Sequence, residues 1–219
     1  MSVKDFMTSK VIYVSPDTTV AHASEKMKAQ DLRRLPVIEN DRLVGLITEG
    51  TMADATPSKA TSLSIYEMNY LLNKTKIRDI MIRDVITVSQ DASLEDAVYI
   101  MMKHKVGVLP VVDNDQLYGI ITDRDIFKAF LQVSGYGEEG VRLNILLNDT
   151  IGSLEKVVRV ISDHGLNIYR TVVANHKSGK ILVEIQIEGQ TDTQALQERL
   201  EAQGITVESI TKTEAKAGF

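Results

Sequence analysis

Alternation and helical spacing of apolar side chains divide the chain into short elements. Val11 to Val14 is a β-branched run, and Val20, Ala23 and Met27 then recur at helical spacing behind Thr18 or Thr19. That is the pattern of a strand followed by an amphipathic helix with a hydroxyl N-cap. Pro36-Val37-Ile38 and Leu43-Val44-Gly45-Leu46-Ile47 flank Asn40-Asp41, which predicts a β-hairpin with left-handed turn residues. A polar start to a second helix completes the unit as strand, helix, strand, strand, helix. The whole pattern then recurs. Residues 3–52 align without a gap onto 77–126 at an offset of 74, with 18 of the 50 positions identical. In the second copy Ser93 and Asp96 have capping-box spacing, and Leu94, Ala97, Val98 and Met101 share one helical face. A unit of about 50 residues buries too little surface to stand alone, so the two copies are expected to pack together around shared core. Between them, Ala55-Thr56-Pro57-Ser58 reads as a breaker, and Ile65, Met68, Leu71 and Leu72 predict a connector helix with a buried face.

The last third has a different rhythm. Gly135-Tyr136-Gly137-Glu138-Glu139-Gly140 carries three glycines in six residues and predicts a hinge or linker. Val141 to Leu147 alternates as a strand. Leu154, Val157, Val158 and Ile161 form a helix stripe that Gly165 can terminate. Ile168–Val173 and Ile181–Ile187 predict two strands joined at Lys177-Ser178-Gly179. Asp192 then caps a helix with Leu196 and Leu200 facing inward, Gly204 stops it, and Val207 to Ile210 reads as a final strand. The order is βαββαβ, a split βαβ of the ferredoxin-like kind. The tail beyond Thr211 is expected to fray.

Composition narrows the chemistry. With 219 residues and 43% hydrophobic positions the chain has the ordinary balance of one large or two small globular domains. Without cysteine there is no disulfide, no thiolate nucleophile and no thiolate metal site. The net charge of −5 argues against a phosphate-tracking nucleic-acid surface. No run is long and apolar enough for a membrane span and no signal peptide is evident, so the expected location is the cytoplasm. His22, His104, His164 and His176 show no metal-ligand spacing, and no nucleophile elbow, zinc-protease motif or P-loop is present. The chain reads as a non-enzyme without a resident cofactor.

Two kinds of junction carry candidate chemistry. In Gly119-Ile120-Ile121-Thr122-Asp123-Arg124-Asp125 an apolar strand runs into a helix start. Free N–H groups and the Thr122 hydroxyl can cradle a phosphate there, and the Asp125 carboxylate can accept from vicinal ribose hydroxyls. The same spacing is also that of a simple N-cap and its N3 partner. In the first copy the acid position is Thr51, so the two clefts are expected to differ. Arg33-Arg34 suits phosphate recognition at a cleft mouth and equally suits a solvated surface. In the last third, Gly152 at a first helical turn can admit a ligand carboxylate or can simply serve the turn.

On these residues the first two thirds resembles a tandem of cystathionine-β-synthase (CBS) domains, a Bateman module. Asp149-Thr150-Ile151-Gly152-Ser153-Leu154 with Gly165-Leu166-Asn167-Ile168 resembles an ACT domain. The combined order is similar to the bacterial acetoin-utilisation-protein family. The resemblance implies an α+β fold: a CBS domain at 1–56, a connector helix at 57–76, a CBS domain at 77–134, a hinge at 135–141, an ACT domain at 142–211 and a tail at 212–219. It implies a pseudo-twofold CBS pair that binds an adenosine nucleotide through Thr122, Arg124 and Asp125, with Ile12 at the adenine and Leu32, Arg33 and Arg34 close by. It implies that the ACT domain takes a small amino acid at Asp149, Gly152, Asn167 and Ile168 or pairs subunits in a homodimer. Ligand would clamp the CBS units and bias a regulated target through the hinge. Rival readings are a ligand-free interaction scaffold, a cyclic-di-AMP sensor and a cryptic enzyme of acetoin metabolism.

Overall fold

The computed structural model describes residues 1–55 and 64–216. The chain divides into two compact units, Met1–Phe127 and Lys128–Phe219, and the division falls inside a helix. The expected breaker lies, from Thr56 onward, outside the described residues.

The first unit opens with a single 3-10 turn, Val3–Asp5, and continues with α1 (Val20–Ala29), β1 (Arg34–Glu39), β2 (Arg42–Thr48), α2 (Glu49–Asp54), α3 (Ile65–Lys74) and α4 (Ile77–Ile80). The second copy supplies α5 (Leu94–His104), β3 (Val108–Asp113), β4 (Gln116–Thr122) and α6 (Asp123–Val133), which crosses the division. Thr19 caps α1 through its hydroxyl, and Ser93 and Asp96 close the expected capping box on α5. Both hairpins turn on Asn-Asp pairs at positive φ, 51° and 62° at Asn40-Asp41 and 50° and 65° at Asn114-Asp115. These are left-handed values that short polar side chains tolerate and that match the strand twist. Each hairpin carries a bulge at the same place, Val37/Ile38 and Val111/Val112.

The four strands form one sheet in the order β1-β2-β4-β3. Its middle pairing joins Arg42 to Gln116, which are the same position in the two copies, so a pseudo-twofold axis passes between them. The isolated bridges obey that axis. Thr8 pairs with Ile120 and Leu46 with Ile82, while Ser2 pairs with Ser93 and Thr19 with Lys76. The opening segment of each copy therefore packs on the other copy. Ile77 is fully buried in the first copy's core beside Val20, Leu35, Val37 and Ile47, and Val3 is fully buried as well. Two glycines make this exchange possible. A Cβ on Gly45 would lie 2.6 Å from Met81 Sδ, and one on Gly119 would lie 2.6 Å from Met7 Sδ.

Two expectations need correction. Val11 to Val14 forms no regular strand: Val14 makes one parallel bridge to Val37, and its counterpart Val88 makes one to Val111. Val14 bonds to Pro36 and Ile38, while the Val11 N–H turns back to the Ser9 carbonyl, so no continuous ladder runs along the segment. The connector helix α3 buries none of its residues fully. Met68 and Leu72 are half-buried, Leu72 against the first copy's core, while Ile65 is 70% exposed.

The second unit contains β5 (Gly140–Leu147), α7 (Ser153–Asp163), β6 (Ile168–Asn175), β7 (Ile181–Glu188), α8 (Thr193–Ala202) and β8 (Thr206–Thr213). This is the expected βαββαβ order. The strands make one antiparallel sheet, β6-β7-β5-β8. Leu143, Ile145, Val183, Ile185, Val157, Ile161, Leu196 and Leu200 are fully buried between sheet and helices. The chain end is held rather than frayed as far as residue 216. Thr213 pairs with Gly140, and the Lys216 N–H donates to the Gly137 carbonyl at 3.0 Å. The glycine-rich segment is fastened in the same way: Arg170 ion-pairs with Glu138, and Arg142 Nη2 donates to the Ser134 carbonyl at 3.2 Å. A pivot at 135–140 must break these bonds.

Candidate functional site

Both strand-to-helix junctions of the first unit are built alike. Thr122 N–H and Oγ1 donate to Asp125 Oδ2 at 2.9 and 2.7 Å, and the Asp125 N–H returns to Thr122 Oγ1 at 3.4 Å. The capping reading of this pair is thus realised. It engages only one carboxylate oxygen. Asp125 Oδ1 has no hydrogen-bond or ion-pair partner among the described residues, so two lone pairs on a half-buried acid remain open to a donor. In the first copy Thr51 closes the corresponding cap: Thr48 N–H donates to its hydroxyl at 2.8 Å, and that hydroxyl donates to the Thr48 carbonyl at 2.9 Å. No charge stands at that junction's acid position.

The copy exchange carries residues of the first copy to the Asp125 junction. Thr8 and Ile120 share two backbone bonds of 2.9 and 3.0 Å, which lays the segment leading to Ile12 along the strand that ends in Thr122. Arg34 Nη1 lies 3.8 Å from Asp123 Oδ1, with the Arg34 side chain 26% exposed. A Cβ on Gly107 would lie 2.8 Å from both Arg34 Nη2 and Asp123 Oδ2. Arg34, Gly107, Thr122, Asp123 and Asp125 therefore form one cluster drawn from both copies. The sequence reading missed Asp123 and Gly107. The signal was there in the alignment, since a glycine stands where the first copy has Arg33.

Other candidates are placed differently. Ile12 packs partly on the first copy's core. Leu32 and Arg33 line a depression of about 600 Å³ over Val20, Met27, Met52 and Leu72. Arg124 is exposed, and its N–H donates to Asp123 Oδ1 at 2.9 Å.

The amino-acid candidates of the second unit do not converge. Asp149 and Gly152 precede α7, while Asn167 and Ile168 follow it, and an 11-residue helix separates its ends by about 16 Å. Gly152 has φ 85° with nothing within 4 Å of where a Cβ would sit, so the turn's handedness accounts for the glycine. The Asn167 amide donates to Glu188 Oε2 at 2.9 Å, and Ile168 packs on the core. Among the described residues no cluster of His and acidic side chains could hold a metal, and no helix is long and apolar enough to cross a membrane.

Residues 3–57 and 77–132, the two copies with their exchanged openings, match the CBS domain family. The chain belongs to that family. The CBS domain-containing protein YhcV of Bacillus subtilis is 31% identical over 125 residues, covering 57% of this chain and 82% of YhcV. A structure described as that of an acetoin utilization protein, AcuB, from Vibrio cholerae superposes with a TM-score of 0.51 and 31% identity, covering 60% of this chain and 91% of that one. CBSX2 from Arabidopsis thaliana, crystallised in complex with AMP, gives a TM-score of 0.50 at 31% identity, covering 60% and 97%. The matches span from 21% to 82% of the length of the curated relatives. What aligns is the CBS pair.

Proposed function

We propose that this CBS pair is a regulatory sensor, without catalytic activity of its own, for an adenosine nucleotide. The ligand enters the cluster where Arg34 of the first copy comes up to Asp123, Thr122 and Asp125 of the second. The observation that carries the reading is the half-engaged Asp125 carboxylate: Oδ2 holds the helix cap and Oδ1 is open. A ribose offers two adjacent hydroxyls as donors to such an oxygen, and charge-assisted bonds of this kind are the strong ones. Arg34, leaning on Asp123 across the copies, supplies the cation for a phosphate, with the exposed Arg124 beside it at the helix start. The AMP complex of CBSX2 supports the ligand class. At the other junction Thr51 in place of the acid removes that acceptor, so one cleft is occupied per pair.

Binding only the closed arrangement of the two copies stabilises it by RT ln(1 + [L]/Kd), about 2.7 kcal/mol at a hundredfold excess over Kd. Titration calorimetry of the full chain with AMP, ADP, ATP and cyclic-di-AMP tests the proposal. An adenosine mononucleotide binds, and Asp125→Ala weakens it by about 1.5–3 kcal/mol, the worth of hydrogen bonds to a charged group. Thr51→Ala leaves the affinity unchanged. Equal affinity in Asp125→Ala removes the acid from the site, and tighter binding of the cyclic dinucleotide reassigns the ligand.

For the second unit, whose βαββαβ order is that of an ACT domain, a subunit-pairing role is favoured over amino-acid capture. The Asn167 amide is already held by Glu188, and the edge strand β6 leaves Tyr169 53% and Val173 51% exposed.

A further inference from the structure

A groove of about 320 Å³ lies beside the pseudo-twofold, with Tyr13 and Asp41 of the first copy facing Gln116 and Tyr118 of the second over Ile38 and Leu117. It shares no residue with the Asp125 cluster. Its volume falls within the range of about 300–1,000 Å³ usual for small-molecule pockets.

The duplication tells which of these features the fold itself requires. At the offset of 74, Tyr13 corresponds to Thr87 and Tyr118 to Val44, so the same backbone is built without either aromatic ring. Both rings remain in solvent, Tyr13 52% and Tyr118 39% exposed, where they add little to the core. The charge pattern is broken in the same place. Asp115 has Arg42 at 3.9 Å. On the related side Gln116 replaces that arginine, and the Asp41 carboxylate has no hydrogen-bond or ion-pair partner among the described residues. Gln116 instead accepts from the Tyr118 hydroxyl at 3.4 Å. Two departures from symmetry, one aromatic and one electrostatic, thus fall in one groove.

We propose that this groove binds a purine ring presenting adjacent N–H donors, the edge that guanine offers. Tyr13 and Tyr118 supply the π-faces, which hold bases through stacking. The two oxygens of Asp41 accept from the adjacent donors, as carboxylates accept from paired N–H groups. The site is independent of the Asp125 cluster.

The test is calorimetry of guanosine and adenosine with the full-length Asp125→Ala protein, in which the adenosine-nucleotide site is disabled. Guanosine binds, and adenosine binds at least tenfold more weakly. Adding Tyr13→Thr with Tyr118→Val, the residues already present at the twofold-related positions, weakens guanosine at least tenfold with an unchanged melting temperature. Asp41→Asn on the Asp125→Ala background does the same. No guanosine binding to Asp125→Ala, or binding that survives loss of both tyrosines, overturns the site. Equal affinity for the two nucleosides overturns the role given to Asp41. Because the background lacks Asp125, failure here leaves the nucleotide proposal standing, and the reverse holds as well.

Discussion

At the residue scale, function turns on which atoms of a capping pair are already spoken for. Thr122 and Asp125 satisfy a helix start and still leave one carboxylate oxygen open, so the cap leaves room for the proposed site. Gly107 has a narrower role. A Cβ there meets only the ends of the Arg34 and Asp123 side chains, each at 2.8 Å, and flexible ends can move. Gly107→Ala is therefore expected to weaken AMP binding several-fold by displacing Arg34, with an unchanged melting temperature; calorimetry beside a melt checks both halves. Asp113 illustrates a half-buried acid with structural duty. The Ser89 hydroxyl and the Gln90 N–H, the latter at 3.0 Å, hold its carboxyl below the ordinary carboxylate value. A lowered folded-state pKa gives stability that is present above the unfolded value and lost as pH falls through the folded one. Asp113→Asn should thus lower the melting temperature at neutral pH, where the contribution is present, and converge on the wild type below about pH 4, which flattens the acid limb. An unaltered acid limb would dismiss the bond.

At the element scale, the short pieces decide the architecture. α4 has only four residues and no helical stability of its own, yet it delivers Ile77 into the first copy's core at 0% exposure. Its counterpart turn delivers Val3 to the other copy. Ile77→Ala is expected to cost about 2–5 kcal/mol, the range for large-to-small changes in packed cores. Urea unfolding of the full chain measures it, and a loss below 1 kcal/mol would mean that the exchanged segment is not part of the cooperative core. The hairpins were legible because Asn-Asp turns and alternating apolar residues are local instructions. The Val11–Val14 segment departs from the strand expected of it for the converse reason: its β-branched residues are strand-like, but its pairing is one bridge from Val14 to Val37, with Val11 turned back on Ser9.

At the scale of the whole molecule, the chain holds a CBS pair and a βαββαβ unit with separate cores. Unpaired edge strands invite pairing with another chain unless charge or proline blocks them. β8 carries Glu208 and Lys212 along its length, whereas β6 offers Val172 and Val173 with Arg170 as its one charge. If β6 joins two subunits, Val173→Lys converts the protein to a monomer in light scattering while the wild type runs as a dimer. A dimer that persists in the variant, or a monomeric wild type, excludes this edge as the interface.

Periodicity, turn residues and capping spacings determined the repeat, the helices, both hairpins and the βαββαβ order, since each is set within a few residues along the chain. They also gave the Thr122–Asp125 capping pair, because a strand-to-helix junction is a local object. Only the tertiary structure decided which copy each opening segment completes, for an offset of 74 is equally compatible with either partner. The pairing of β2 with β4 sets Asp41 beside Gln116 instead of an arginine, and the meeting of the two copies brings Arg34 to Asp123. It is a spatial neighbour, absent from any short window of sequence, that engages Asn167 with Glu188.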